Sequence, residues 1–187
     1  MKFWTVQSSN VAEIVKEKGI YQPDFSKSRY LQRKENLSYL YNKLLDNFNI
    51  INNMELPGII YAFAKREKGK IIPIENYDEF KKFIRVKNAV IAGLWKTLSK
   101  EDCRILELDY DNTFNPIFID INDFQFIMPP ITTSGISSYT KESVYRIYTD
   151  MRKGEISSSE FPSDVIQAHL PYIKKDNLIN THPMFSI

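Results

Sequence analysis

The strongest pattern of apolar positions lies in the first third of the chain and predicts a long amphipathic helix over residues 28–48. Its apolar side chains recur at intervals of three and four residues, which is the spacing of one helical face. They are Leu37, Leu40, Tyr41, Leu44, Leu45 and Phe48. Capping-box spacing predicts two shorter helices, one that is capped by Asn10 and stops at Gly19, and one that is capped by Asn76.

Short runs of aromatic, β-branched and alternating residues predict the strands. Residues 2–7 are the first, and residues 58–64 form an apolar run that indicates a strand buried on both faces. Residues 104–110 and 164–170 alternate between their two faces. The stretch 117–127 is apolar and aromatic, with acidic interruptions.

The last part of the chain shows fewer clear elements. Residues 128–138 are rich in turn-forming residues and predict a loop, and Thr140 is a candidate cap for a helix that ends at Gly154. Strands and helices alternate along the chain without regular βαβ spacing. We therefore expect a single α+β domain over residues 1–187, with a mixed or split β-sheet and flanking helices.

Composition leaves the class of partner open. The 187 residues carry 25 lysines and arginines against 23 aspartates and glutamates, so the net charge of +2 neither indicates nor excludes nucleic acid. The single cysteine, Cys103, suits a cytoplasmic protein, and its acidic neighbours argue against a nucleophilic thiolate. No stretch reaches the about 18 apolar residues of a membrane helix. The only histidines, His169 and His182, form no ligand cluster with this cysteine in the sequence, so no metal site is expected.

Several short motifs are distributed along most of the chain. They are Phe3, Trp4, Thr5 and Gln7 before a helix ending at Gly19; Tyr61, Ala62 and Phe63; Glu107 in a strand; Asp120 and Phe124; and Ile166, Gln167 and Ala168. Together they resemble an uncharacterised bacterial family, the domain of unknown function 3841. Smaller aromatic residues stand at several positions where that family carries tryptophan.

The first strand and helix, and the segment 165–181, are also similar in layout to the ADP-ribosyltransferase-like fold. On that register Thr5 replaces a histidine that contacts the nicotinamide ribose, and Gln167 replaces a glutamate that stabilises the transition state. The loss of one such electrostatic contribution typically costs ~10²–10³ in rate. The resemblance thus implies an NAD-like ligand and weakened catalysis. Whether NAD-dependent ADP-ribosyltransferase-like activity survives stays open.

The resemblance also implies where a ligand would bind, because its cleft lies between the first strand and the final one. We expect residues 3–7 and 164–170 to be neighbouring central strands. The predicted site residues are Trp4, Thr5, Gln7, Glu107, Gln167 and His169. Amides offer a donor and an acceptor without charge, and histidine can carry a proton near neutral pH. We therefore expect one pocket for a small polar or nucleotide-like ligand.

Each of these residues also has a purely structural interpretation. Trp4 suits a core position, His169 a buried structural role, and Glu107 the solvent face of a strand. The lysines and arginine of residues 65–70 could contact phosphate groups or form a solvated hairpin tip. The alternative function is a non-enzymatic interaction protein that binds and modulates another macromolecule.

Overall fold

An antiparallel β-sheet organises the residues that the computed structural model describes, which are 1–32, 35–85, 89–111, 113–120 and 163–187. The strands are β1 (Lys2–Ser8), β2 (Ile20–Tyr21), β3 (Ile60–Glu67), β4 (Lys70–Ile72), β5 (Cys103–Asp109), β6 (Ile117–Asp120), β7 (Val165–Leu170), β8 (Ile173–Lys174) and β9 (Leu178–Pro183). The helices are α1 (Ser9–Lys18), α2 (Arg29–Gln32), α3 (Glu35–Asn52), α4 (Tyr77–Arg85) and α5 (Ala89–Leu98). The predicted α+β class is confirmed.

Strand order in the main sheet is β6-β7-β3-β1-β5-β9, and β4 pairs with β3. The short strands β2 and β8 form a separate pair. Every described strand pair is antiparallel. Between β1 and β3, the register contains one pair, Trp4 opposite Phe63, whereas β1 and β5 are paired along their whole length. The described strands of the main sheet therefore form one continuous antiparallel sheet, in which β1 and β3 share a single registered pair.

The register assigns each side chain to one of two faces. Trp4 is opposite Phe63 and Phe63 is opposite Gln167, so these three side chains share a face. Helices α4 and α5 cover one end of that face, with a core of Trp4, Phe63, Phe80, Trp95 and Ile105. Helix α3 covers the other end, packing Leu40, Leu44 and Phe48 against Tyr61 and Ile119. Helix α1 covers the opposite face, against Phe3, Ala62, Leu106 and Ile166.

Two of the predicted helix ends have the expected capping residues. Helix α1 ends at Gly19, which adopts a left-handed φ of 79° while its N–H donates to the Val15 carbonyl. Helix α4 is capped by Asn76, whose Oδ1 accepts a hydrogen bond from the Glu79 N–H at 3.0 Å. Helix α1 begins at Ser9 with Ser8 as its N-cap residue, so the predicted cap at Asn10 is two residues late.

The long helix extends beyond its predicted end. Residues 29–32 are helical, and α3 continues to Asn52, four residues beyond the predicted end. Asn53 adopts a left-handed φ of 50°, a conformation that terminates helices. Leu40, Leu44 and Phe48 are buried as predicted, while the side chain of Leu37 lies outside the described residues.

The predicted adjacency of residues 3–7 and 164–170 is wrong, because β3 lies between β1 and β7. The physical reason is the apolar run at the start of β3, whose first five residues, Ile60 to Ala64, are all buried. Such a strand requires cover on both faces and partners on both edges, so it occupies the interior of the sheet. The predicted loop at 128–138 and the helix from Thr140 to Gly154 lie outside the described residues.

Replacing Leu44 tests the packing of α3 on the sheet. Leu44 is 1% exposed, so Leu44→Ala should lower the free energy of unfolding by about 2–5 kcal/mol through lost burial and a residual cavity. The matched control is Ile50→Ala on the same helix, where the side chain is 52% exposed and the loss should stay near about 0.5 kcal/mol. Denaturant unfolding measures both, and equal losses would contradict the packing.

Candidate functional site

A cleft of about 520 Å³ lies where β1 and β3 separate beyond the Trp4–Phe63 pair. The end of β1 and the start of β3 form its floor, and the segment 21–28 forms a wall. Its lining includes Gln7, Tyr21, Gln22, Asp24, Phe25 and Tyr61, together with Glu101 and Cys103. This volume falls within the ~300–1,000 Å³ of typical small-molecule sites, and the lining combines aromatic rings with a few polar groups.

A chain of two hydrogen bonds positions the Gln7 amide at the cleft. Gln7 Nε2 donates to Thr5 Oγ1 at 2.9 Å, and Thr5 Oγ1 donates to the Tyr61 carbonyl at 2.7 Å. The Thr5 hydroxyl therefore links β1 to β3 beyond their one registered pair. Gln7 Oε1 has no hydrogen-bond partner within the described part of the chain, so it is open to a donor from a ligand.

The wall of the cleft is fastened to the strands behind it. The Phe25 N–H donates to the Pro57 carbonyl at 2.9 Å, and Gln22 Nε2 donates to the carbonyls of Gly58 and Pro171, each at 3.1 Å. At Gly58 a Cβ atom would lie 2.7 Å from the Pro23 carbonyl oxygen, so the close approach of wall and floor requires glycine. These contacts give the cleft a preformed shape.

The charges at the cleft are mostly acidic. Hydrogen bonds from Ser26 and Lys27 lower the pKa of Asp24, which caps the short helix of residues 25–27. Burial raises the pKa of Cys103, and the carboxylates of Glu101 and Asp102 raise it further. The thiol is therefore protonated near neutral pH, in agreement with the expectation that it is a poor nucleophile.

The six residues predicted to line one pocket are divided between the two faces of the sheet. Gln7 reaches the cleft, and Thr5 lies on the same face, fully buried, where it contacts Gln7. Trp4, Glu107, Gln167 and His169 lie on the opposite face, because they share the register of the Trp4–Phe63–Gln167 row. The described structure does not bring Gln7 and Gln167 into one pocket.

Trp4 belongs to the core in this arrangement. It is completely buried, its indole Nε1 donates to the Ile74 carbonyl at 2.8 Å, and its ring stacks on Phe80 with centroids 4.9 Å apart. An aromatic residue with its polar atom satisfied in this way is a packing element. Its position gives no support to a role as a wall of the cleft.

Glu107 is 8% exposed and lies between a lysine and a histidine rather than on a solvated face. Its carboxylate is 3.3 Å from Lys2 Nζ and 3.4 Å from His182 Nε2.

The basic cluster at 65–70 forms a β-hairpin turn at Lys68 and Gly69, as its structural interpretation expects. In that hairpin, Arg66 pairs with the buried Asp120 at 2.7 Å.

A second polar group lies beneath α3, on the face opposite Gln7. Gln167 Nε2 and His169 Nε2 are 3.0 Å apart, and the Tyr61 ring packs edge-on against the His169 ring with centroids 4.9 Å apart. Burial lowers the pKa of His169 to about 3, so the imidazole is neutral at pH 7. Within the described residues, the Tyr61 hydroxyl, Gln167 Oε1 and His169 Nδ1 have no hydrogen-bond partner.

Comparison of the chain with protein-family models, with curated proteins and with solved structures finds no match. Among the described residues, no helix is long and apolar enough to cross a membrane. The same part of the chain contains no cluster of three or more histidine, cysteine, aspartate or glutamate side chains placed to hold a metal ion.

Sequence reasoning missed most of the cleft lining. Tyr21, Gln22, Asp24 and Phe25 lie in a segment that turn-forming residues identify as a loop, but nothing in the sequence places that loop against β3. One local signal was present. Asp24 and Ser26 have the spacing of an aspartate that caps its own turn, and the Ser26 N–H donates to Asp24 Oδ1 at 3.0 Å.

Replacing Thr5 tests the hydrogen-bond chain. Thr5→Val keeps the shape but removes the donor to the Tyr61 carbonyl and the acceptor for Gln7, so unfolding should become easier by about 1–3 kcal/mol. Thr5→Ser keeps the hydroxyl and should lower the free energy of unfolding by less, because only one methyl group is lost. Denaturant unfolding compares the two variants, and a valine variant as stable as the serine variant would refute the role of the hydroxyl.

The buried imidazole predicts a pH dependence of stability. Between pH 6.5 and about 3 the unfolded His169 binds a proton that the folded ring does not, so stability falls with pH below about 6.5. Relative to His169→Gln, the wild-type protein should lose about 2 kcal/mol of unfolding free energy between pH 7 and pH 5. A His182→Gln variant retains His169 and should therefore keep the pH-dependent stability loss that His169 causes. Parallel pH curves for wild type and His169→Gln would contradict the burial.

Proposed function

We propose that the cleft between β1 and β3 binds a small polar, nucleotide-like ligand. The observation that carries the proposal is the Gln7 amide, which Thr5 fixes at the mouth of the split with an open acceptor oxygen. An oriented, uncharged amide can recognise the hydrogen-bonding edge of a nitrogen heterocycle or a carboxamide. The preformed wall keeps the ordering cost of binding low.

Aromatic side chains supply the apolar part of the recognition. Tyr21 and Phe25 line the cleft together with Gln7, whereas Tyr61 borders it with its backbone while its ring packs against His169. Aromatic faces offer large contact areas for a planar ring, with edge-on or offset stacking contributing ~0.5–1.5 kcal/mol beyond burial. A ligand with a flat ring and a polar edge therefore matches both kinds of lining group.

The resemblance to the ADP-ribosyltransferase-like fold implied a cleft between the first and the final strand, which β3 separates here, so the location rests on the described cleft itself. The resemblance gives little support to catalysis. Thr5 is buried and bonded to Gln7, and Gln167 lies on the other face, so neither enters the cleft lining. We infer that this protein acts as a ligand-binding module, with NAD as one compound to be tested.

Calorimetry against NAD, ADP-ribose, adenosine and nicotinamide tests the proposal. At least one of these compounds should bind, and Gln7→Ala should weaken its binding by about tenfold, because one oriented hydrogen bond of about 1.4 kcal/mol is lost. The control is Asn42→Ala, which removes an exposed amide on the outer side of α3 and should leave the affinity unchanged.

The cleft also contains the protein's one cysteine, Cys103, which provides an independent readout. A bound ligand should slow the reaction of this thiol with an aromatic disulfide reagent. If no compound binds, or if binding neither protects Cys103 nor depends on Gln7, the site is not this cleft. The interaction-protein alternative would then be the better hypothesis.

A further inference from the structure

The charges around the cleft are unfavourable for a phosphate group. Two carboxylates, Asp24 and Glu101, contribute to the described lining, and Lys27 is the single cation in it. No arginine is present among these lining residues. Sites that bind phosphate tightly present guanidinium, ammonium or clustered backbone N–H donors instead.

The lysine is already engaged. Lys27 Nζ lies 3.1 Å from Asp24 Oδ2, and the lysine side chain is 82% exposed, so its charge is neutralised by a neighbour and screened by solvent. The backbone N–H of Ser26, at the start of the short helix, donates to Asp24 Oδ1 at 3.0 Å. The Lys27 ammonium and the Ser26 N–H are therefore both engaged by Asp24.

Arg104 lies opposite Gln7 in the strand register but does not belong to the cleft lining. One of its guanidinium nitrogens donates to the Cys103 carbonyl at 3.1 Å and lies 3.8 Å from Asp102 Oδ1. Within the described lining, a phosphate would give up water beside Glu101 and beside a lysine that already pairs with Asp24. The desolvation of an unpaired charge is among the most costly steps in binding.

We propose that the cleft selects unphosphorylated ligands, neutral or cationic and nucleoside-like, against their phosphorylated counterparts. This inference rests on the proposed function of the same cleft and narrows its ligand class. Because Lys27 pairs with Asp24, the carboxylate of Glu101 leaves the described lining with a net negative charge, which repels a phosphate and attracts a positively charged ring. The aromatic lining and the Gln7 amide supply recognition that does not depend on a phosphate.

Two matched pairs of compounds test the proposal. Nicotinamide riboside carries a cationic ring and differs from nicotinamide mononucleotide by one phosphate, and adenosine differs from adenosine monophosphate in the same way. Calorimetry on the full chain should show the nucleoside of each pair binding about tenfold more tightly than its nucleotide. The difference should shrink as salt is added, because screening weakens the repulsion.

Variants assign the effect to the cleft. Glu101→Gln should reduce the nucleoside preference by about threefold, while Glu17→Gln, the same charge change at an exposed position on α1, should not alter it. A nucleotide that binds as tightly as its nucleoside would overturn this inference alone. No binding by any of the four compounds would overturn the proposed function as well.

Discussion

The arrangement of the molecule depends on how β1 and β3 meet. They share one registered pair, Trp4 and Phe63, and beyond it the two strands diverge. The Thr5 hydroxyl then bonds to the Tyr61 carbonyl and limits the separation at that point. Because backbone polar groups in a buried position need partners, this side-chain bond supplies what the strand ladder does not. The cleft exists because the sheet opens there, and it keeps its shape because Thr5 and the fastened wall hold both sides.

Strand alternation divides the polar groups of the sheet into two separate compartments. Gln7 lines the cleft, with Thr5 bonded behind it, whereas Gln167 and His169 lie across the sheet beneath α3. Tyr61 contributes to both compartments, with its carbonyl bonded to Thr5 and its ring against His169. The first compartment is the cleft for which we propose a ligand, and the second contains a neutral imidazole whose burial links stability to pH. Changes at Tyr61 should therefore affect both.

Features that depend on local sequence could be predicted, whereas features that depend on long-range contacts could not. Local signals placed the main helices and strands, since Gly19, Asn76 and the period of Leu40, Leu44 and Phe48 each act within one element. Strand order depends on long-range pairing, and the apolar run of β3 was the one available hint that this strand would separate β1 from β7. Gln7 was predicted as a site residue because the resemblance places the first strand beside a cleft. The wall at 21–28 was not, because its position depends on Gly58 and Pro57 rather than on its own sequence.

The central claim is that ligands enter the split between β1 and β3. Nuclear magnetic resonance of the isotope-labelled protein during titration with adenosine tests it most directly, because it reports each residue separately. The account predicts that the largest shifts occur at the Gln7 side-chain amide and at the backbone of Tyr21, Phe25 and Tyr61, while the His169 ring signals stay unchanged. Shifts centred on Gln167 and His169, with Gln7 unaffected, would contradict it.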